Sequence, residues 1–157
     1  MAIRNILKDG DPLLRKHSRP VERFDERLHT LLDDMQETLK LANGAGLAAP
    51  QVGVLRRVVL VDTGADEGPI EMINPEIIAS SGKQSEIEGC LSVPDVWGRV
   101  DRPYEVTVRA QDRHGEWFTV TAEGMAAVCC CHESDHLDGI LFTDKVVEYV
   151  ELDDEEE

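Results

Sequence analysis

Two histidines four residues apart constrain this chain more than any other feature. His132 and His136 enclose Glu133 within the segment His132-Glu133-Ser134-Asp135-His136. Residues four apart lie on one face of a helix, so two imidazoles in this spacing can bind one metal ion. Glu133 is next to the first histidine, where its carboxylate can reach a water molecule on that metal. The spacing therefore predicts a helix that carries a metal site and a general base.

The apolar neighbours of the histidines predict that this helix is buried. Met125, Val128 and Cys129 precede them at spacings of three and four, which places both histidines on a stripe that faces the core. Two buried imidazoles without partners would be costly, and a shared metal removes that cost. The alternative is a chance match to the pattern on an ordinary helix. Cys130 and Cys131 lie off this face and receive no role.

A catalytic metal needs a third protein ligand, and the sequence offers two candidates. In one class of metallopeptidases this ligand is a histidine six residues after the second one, but Phe142 occupies that position here. Cys90 is the better candidate and Cys129 is the competing one. Cys129 and His136 would lie about 10.5 Å apart along a helix axis. This separation favours Cys129 as a small apolar core residue.

The order of the predicted elements indicates an α+β fold. Periodicity and turn residues predict a helix start at Asp11-Pro12, a helix from Asp25 to Asn43, strands at 57–62 and 70–73, a hairpin around the turn 112–115, and a helix from Gly124 to about Asp138. Helices and strands are segregated along the chain instead of alternating. We therefore predict antiparallel or mixed β-sheets packed around a central C-terminal helix that carries the HExxH motif.

Composition narrows the classes of protein further. The chain has 157 residues and a net charge of −16, and the sequence shows no Lys/Arg cluster, so no direct nucleic-acid binding is expected. The four cysteines do not have the spacing of a disulfide scaffold. No apolar run is long enough for a membrane span or a signal segment. We predict a cytoplasmic protein with one catalytic domain at 1–150 and an acidic tail at 151–157.

Three motifs resemble those of the peptide deformylase family, and they occur in the order of the family. They are Gly44-Ala45-Gly46-Leu47-Ala48-Ala49-Pro50-Gln51, Glu88-Gly89-Cys90-Leu91-Ser92, and His132-Glu133-Ser134-Asp135-His136 followed by Leu137-Asp138-Gly139. The resemblance, which is to the bacterial type, covers nearly the whole chain. It implies a metal-dependent hydrolase that removes the formyl group from the N-terminal formylmethionine of newly synthesised polypeptides and releases formate.

The resemblance also implies the metal site and its occupant. The ligands would be Cys90, His132 and His136, with water in the fourth position. Many family members use Fe²⁺, and Zn²⁺, Ni²⁺ or Co²⁺ can occupy the same site. A thiolate beside two imidazoles suits several of these ions, so the residues alone do not select one.

The catalytic and substrate-binding residues follow from the same resemblance. Glu133 would be the general base, and the side-chain amide of Gln51 and the backbone N–H of Leu91 would donate to the oxyanion. The residues expected at the substrate are Gly44, Gly46, Val128 and Cys129. A further hypothesis pairs Glu88 with Arg102 behind the Cys90 segment.

The expected partners are nascent formylmethionyl polypeptides, with a transient ribosome contact. Some bacterial members end in a basic helix that helps ribosome docking, whereas this chain ends in Glu-Leu-Asp-Asp-Glu-Glu-Glu. Two other positions depart from the family pattern. Cys131 stands where glutamine is common, and Ser134 stands where a larger apolar residue is usual. These departures affect the pocket and the helix packing, not the inferred ligands.

Three alternatives compete with this interpretation. A metallopeptidase that cuts internal bonds would share the helix motif, but Phe142 and the Cys90 motif count against it. A structural metal site would be closed by four protein ligands, whereas three are inferred here. An inactive family member is disfavoured because every inferred catalytic position is filled.

Overall fold

The computed structural model describes residues 2–64 and 68–151. Within them lie the helices α1 (Glu26–Ala42) and α2 (Met125–Leu137) and the strands β1 (Gly46–Ala48), β2 (Val58–Val61), β3 (Ile70–Ser81), β4 (Gln84–Cys90), β5 (Val93–Arg102), β6 (Glu105–Gln111), β7 (Trp117–Glu123) and β8 (Val146–Val150). Short 3₁₀ segments occupy Pro12–Arg15, Ala49–Val52 and Phe142–Asp144.

A five-stranded antiparallel sheet in the order β1-β2-β3-β6-β7 separates the two helices. The side chains of β2 alternate between its two faces. Val58 and Leu60 pack in the core formed with α1, whereas Val59 and Val61 pack in the core formed with α2. Because both faces of β2 are covered, this strand is apolar throughout, as a central strand should be.

The second sheet closes the opposite side of α2. It has three antiparallel strands in the order β4-β5-β8. Val93 and Val100 of β5 pack with Leu141 and Phe142, and the Phe142 ring stacks on His132 with 5.9 Å between ring centroids. Helix α2 is thus enclosed by both sheets. This confirms the predicted α+β fold with antiparallel sheets around a C-terminal helix.

The enclosure corrects the prediction of a single core-facing stripe on α2. Cys130 and Cys131 are buried against the five-stranded sheet, while Met125 is 57% exposed. A helix with a sheet on either side is buried on more than one face, so periodicity alone does not identify its outward residues.

The ends of the predicted helices are confirmed by their caps. Asp25 accepts a hydrogen bond from the backbone N–H of Leu28 at 3.2 Å, and Asn43 ends α1 in the left-handed conformation. Asp11 caps the short 3₁₀ segment at Leu13 in the same way, at 3.0 Å. Both starts satisfy backbone donors that a helix leaves unpaired.

Strand predictions succeeded where the strands are buried or form a hairpin. The strand at 57–62 and the hairpin of β6 and β7 are present, and the strand predicted at 70–73 is the first third of β3. Strands β1, β4, β5 and β8 were not predicted. Three of them form the smaller sheet, whose exposed positions mix charged residues with apolar and aromatic ones and so give no regular apolar alternation.

The described residues contain no helix that is both long and apolar enough to cross a membrane. Residues 152–157 of the predicted acidic tail lie outside the described residues.

The turn after α2 gives a test of backbone strain. Gly139 has φ of +75°, and a Cβ at this position would collide with the backbone of Arg15. Gly139→Ala should therefore lower the free energy of unfolding by more than the ~1–3 kcal/mol expected from a strained backbone alone. Gly53→Ala is the matched control, because Gly53 has φ of +86° in open space. Equal losses for both variants in urea unfolding would contradict the collision.

Candidate metal centre

The end of β4 and one face of α2 bring three metal-binding side chains together. The ligand atoms of Cys90, His132 and His136 all lie within 4.8 Å of one another. The Cys90 Sγ is 3.4 Å from the His136 Nε2. Metal–sulfur bonds of about 2.3 Å and metal–nitrogen bonds of about 2.0–2.1 Å would fit inside such a group. The donor set, one thiolate and two imidazoles, is chemically suited to a transition metal.

The competing third ligand does not join this group. Within residues 2–64 and 68–151, the cluster of potential ligands contains Cys90 and not Cys129. Burial raises the pKa of the Cys129 thiol to about 12, and the Glu133 carboxylate adds to the rise. Cys129 thus lies in a buried setting that favours its neutral thiol, as expected for a small apolar core residue.

Glu88 fixes the orientation of the first histidine. Its Oε1 lies 2.9 Å from the Nδ1 of His132, which leaves the Nε2 of that ring for the ligand cluster. Arg102 donates two hydrogen bonds to the Glu88 carboxylate, at 2.9 and 3.0 Å, so the predicted ion pair is present. Burial would raise the pKa of Glu88, but its bonds to His132 and Arg102 outweigh burial and lower it. Carboxylates behind a metal-binding histidine hold the ring in this way.

The same arginine also ties this strand pair to α2. Arg102 Nη1 donates to Asp135 Oδ2 at 2.8 Å, and the Lys145 ammonium lies 3.1 Å from that oxygen. These contacts join β4, β5 and α2 around the site. Sequence reasoning missed Asp135 and Lys145, because β5 was not predicted and nothing else brings Arg102 next to α2.

Two buried polar atoms at the site have no hydrogen-bond partner among residues 2–64 and 68–151. They are the Glu133 Oε1 and the His136 Nδ1. Burial raises the pKa of Glu133 to about 7 and lowers the pKa of His136 to about 3. A neutral imidazole is the form that binds a metal, and an unpaired buried carboxylate oxygen needs a water molecule or a ligand to offset its desolvation. Both observations fit a metal with water or substrate beside Glu133.

Gln51 presents its amide nitrogen to the ligand cluster. Its Oε1 accepts a hydrogen bond from the backbone N–H of Ala48 at 2.9 Å. Its Nε2 donates to the Ser92 hydroxyl at 3.0 Å and lies 3.6 Å from the Cys90 Sγ. Gln51 is buried, with 1% of its surface exposed. These contacts therefore hold the amide nitrogen, and not the amide oxygen, next to the ligand cluster.

The two glycines of the first motif allow close approach of the backbone. A Cβ on Gly46 would come within 2.7 Å of the Glu133 carboxylate. A Cβ on Gly44 would come within 3.0 Å of the side chains of Leu39 and Leu91. The backbone of β1 therefore covers Glu133, and a larger residue at position 46 would displace its carboxylate.

A groove of about 520 Å³ opens onto these residues. Nine of the ten predicted site residues line it, and the tenth, His136, is buried beneath. The nine are Gly44, Gly46, Gln51, Cys90, Leu91, Val128, Cys129, His132 and Glu133. Sequence reasoning missed the exposed apolar wall formed by Ile87, Trp97 and Met125. The sequence signal for this wall is weak, because Ile87 and Trp97 stand in strands rich in charged residues.

The sequence profile of the polypeptide deformylase family matches residues 3–151. The chain belongs to this family. It is 57% identical to the peptide deformylase of Acetivibrio thermocellus over 99% of this chain and 91% of that one. It is 58% identical to the peptide deformylase of Caldicellulosiruptor bescii over 96% of this chain and 89% of that one. A crystal structure of a peptide deformylase from Legionella pneumophila superposes with a TM-score of 0.89, at 49% identity, covering 92% of this chain and 86% of that chain.

Family membership establishes the class of reaction. The chain is a metal-dependent hydrolase of the deformylase family, and it acts on peptides that begin with formylmethionine. This agrees with the predicted activity and excludes the competing class of peptidases that cut internal bonds.

The ion pair behind His132 gives a test of how the site is held. Arg102→Ala leaves Glu88 and Asp135 without their buried partner, so the free energy of unfolding should fall by about 3–5 kcal/mol. Loss of the pair should also speed metal release, because Arg102 no longer holds the Glu88 carboxylate that orients the His132 ring. Urea unfolding of the metal-free protein and a metal-release assay measure the two effects.

Arg109→Ala is the control for this variant. Arg109 is exposed and lies 3.7 Å from the Trp117 ring centroid, so its removal should cost less than about 1 kcal/mol. Equal stability and equal metal release in the two variants would contradict the role of Arg102.

Proposed function

We propose that Cys90, His132 and His136 bind one Fe²⁺ ion and that Glu133 is the general base for deformylation. The observation that carries this proposal is the convergence of the three ligand atoms within 4.8 Å, beside a buried carboxylate oxygen that has no partner in the part of the chain that the structure describes. Zn²⁺, Ni²⁺ or Co²⁺ can occupy the same donor set. When bound, the metal lowers the pKa of a water molecule so that hydroxide is available near neutral pH.

Glu133 moves the proton. Its carboxylate takes one proton from the attacking water as the oxygen of that water bonds to the formyl carbon. The carboxyl then delivers this proton to the amine nitrogen as the C–N bond to the formyl group breaks, and the second water proton passes to solvent. Formate and a free N-terminal methionine result. The close approach of Gly46 supports this role, because the β1 backbone shields one side of the carboxylate and limits the water around it.

Gln51 and Leu91 stabilise the negative charge that develops on the formyl oxygen. We assign the Gln51 Nε2 and the backbone N–H of Leu91 as its donors. The fixed Gln51 amide supports this assignment, since a donor oriented before the reaction needs no reorganisation when charge develops.

The groove receives the N-terminal residue of the substrate. We assign Val128 and Cys129 to the methionine side chain, and Gly44 and Gly46 to the passage of the peptide backbone. The apolar walls of the groove suit an unbranched thioether side chain. The substrates are then nascent formylmethionyl polypeptides.

The remaining assignments concern the whole chain. We assign residues 1–150 to one catalytic domain, followed by an acidic tail at 151–157. The enzyme acts in the cytoplasm, where its substrates are made, and contacts the ribosome transiently. The structural-metal alternative would need four protein ligands, whereas the cluster within the described residues contains three.

Replacement of the general base tests the proposed reaction. Glu133→Ala should lower kcat for formate release from a short formyl-methionyl peptide by at least about 10²–10⁴-fold, because the neighbouring Glu88 carboxylate is held by Arg102 and His132 and cannot replace Glu133. The assay uses protein loaded anaerobically with Fe²⁺, or with Ni²⁺ in air. Metal content should stay at one ion per chain. Glu123→Ala, at an exposed glutamate of β7, should keep full activity. Formate release by metal-loaded Glu133→Ala at the wild-type rate would overturn the assignment.

A pair of cysteine variants tests the ligand set. Cys90→Ala should weaken metal affinity by more than about 100-fold, because it removes a ligand and not merely a neighbour of one. Cys129→Ala should retain the metal, since Cys129 lies outside the cluster. Equilibrium dialysis with Zn²⁺ measures both affinities. Loss of metal from Cys129→Ala alone would contradict the assigned ligands.

A further inference from the structure

The fold assembles a basic groove that the sequence does not reveal. Its volume is about 770 Å³, and it shares no lining residue with the groove at the metal centre. Five arginines line it: Arg4, Arg19, Arg23, Arg27 and Arg56. They come from the N-terminal segment, the start of α1 and the loop before β2. The prediction that the chain has no Lys/Arg cluster is therefore wrong.

Most of this positive charge is not neutralised by the protein. Arg4 pairs with Asp34 at 2.8 Å. The other four arginines are exposed, and none of them forms an ion pair with any other residue in 2–64 or 68–151. Two carboxylates line the groove, and one of them, Asp25, is engaged as the cap of α1. A local excess of positive charge thus stands on a chain of net charge −16.

Three of these arginines lie next to other positive charge. Arg19 and Arg56 face each other across a parallel β-bridge, supported by the bond from the Arg19 N–H to the Leu55 carbonyl at 3.1 Å. This bridge places two positively charged residues side by side on the surface. Arg27 is the second residue of α1, where the positive end of the helix dipole disfavours a cation. An anionic ligand would offset the positive charge at both places.

We propose that this groove binds the phosphate backbone of single-stranded RNA. All five basic residues are arginine, whose planar guanidinium matches phosphate with two parallel hydrogen bonds and also stacks on bases. The accessible apolar side chains that line the groove are those of Leu13, Val54 and Leu55, and they suit the flat faces of bases. An acidic peptide offers charge without such faces. The substrates of this enzyme are polypeptides under synthesis, so an RNA contact would raise the local concentration of the enzyme near them.

The inference does not depend on the residue roles proposed for the metal centre. Its test measures RNA binding and formate release separately, so either can fail alone. The probe is a fluorescein-labelled oligouridine RNA of about 20 nucleotides, followed by fluorescence anisotropy between about 50 and 200 mM salt. The protein is the full metal-loaded chain.

The test variant is Arg19→Ala combined with Arg56→Ala. It should bind the RNA about tenfold more weakly at low salt, and the slope of log affinity against log salt should fall by about 1.4, because two single-strand phosphate contacts at roughly 0.7 each are lost. Its thermal midpoint should stay near that of the wild type, since both side chains are exposed and neither forms an ion pair within the described residues. Formate release should be unchanged.

The control removes the same charge elsewhere. Lys40→Ala combined with Lys83→Ala changes two exposed lysines that do not line the groove, and it should keep the wild-type RNA affinity. Arg23→Ala combined with Arg27→Ala is a second groove variant, and it should lose affinity as the first one does. The inference is overturned if the wild-type chain does not bind the RNA at low salt, if groove and control variants lose affinity equally, or if oligoglutamate binds the groove and RNA does not.

Discussion

Three ionisable side chains of α2 lie in the interior, and their burial is the constraint on which the rest of the structure depends. His132, Glu133 and His136 are each less than a tenth exposed. Such groups are costly to bury without partners. Hydrogen bonds offset part of this cost, since the Glu88 carboxylate is bonded to His132 and Arg102 donates to Glu88. Among the described residues, the Glu133 Oε1 remains without a partner beside the ligand cluster, while the His136 Nε2 faces the Cys90 Sγ.

The two sheets serve this burial in different ways. The five-stranded sheet packs apolar side chains of β2 against α2, so this side of the helix is part of a buried apolar core. The three-stranded sheet contributes the polar groups, because Glu88 and Cys90 lie on β4 and Arg102 lies on β5. Their carboxylate, thiolate and guanidinium groups reach α2 from the second sheet alone. The apolar core and the charged site are thereby separated across one helix.

The sequence predicted the local parts of this arrangement better than the contacts between them. The HExxH spacing predicted α2 and the proximity of His132 to His136, because both depend on residues within about one turn of a helix. Sequence reasoning could name Cys90 only as the better of two candidates for a third ligand, and the family resemblance then favoured it, since no periodicity places β4 beside α2. The links from Arg102 to Asp135 and the groove of arginines were beyond prediction, because each joins residues far apart in the chain whose pairing depends on the fold.

The central claim is that one thiolate and two imidazoles hold the metal and leave one position open. X-ray absorption at the metal edge of the Zn²⁺-loaded chain tests it most directly. The account predicts one sulfur at about 2.3 Å, two nitrogens at about 2.0–2.1 Å, and one light atom that is displaced by a hydroxamate inhibitor. Two sulfurs, or four protein ligands with no displaceable atom, would contradict it.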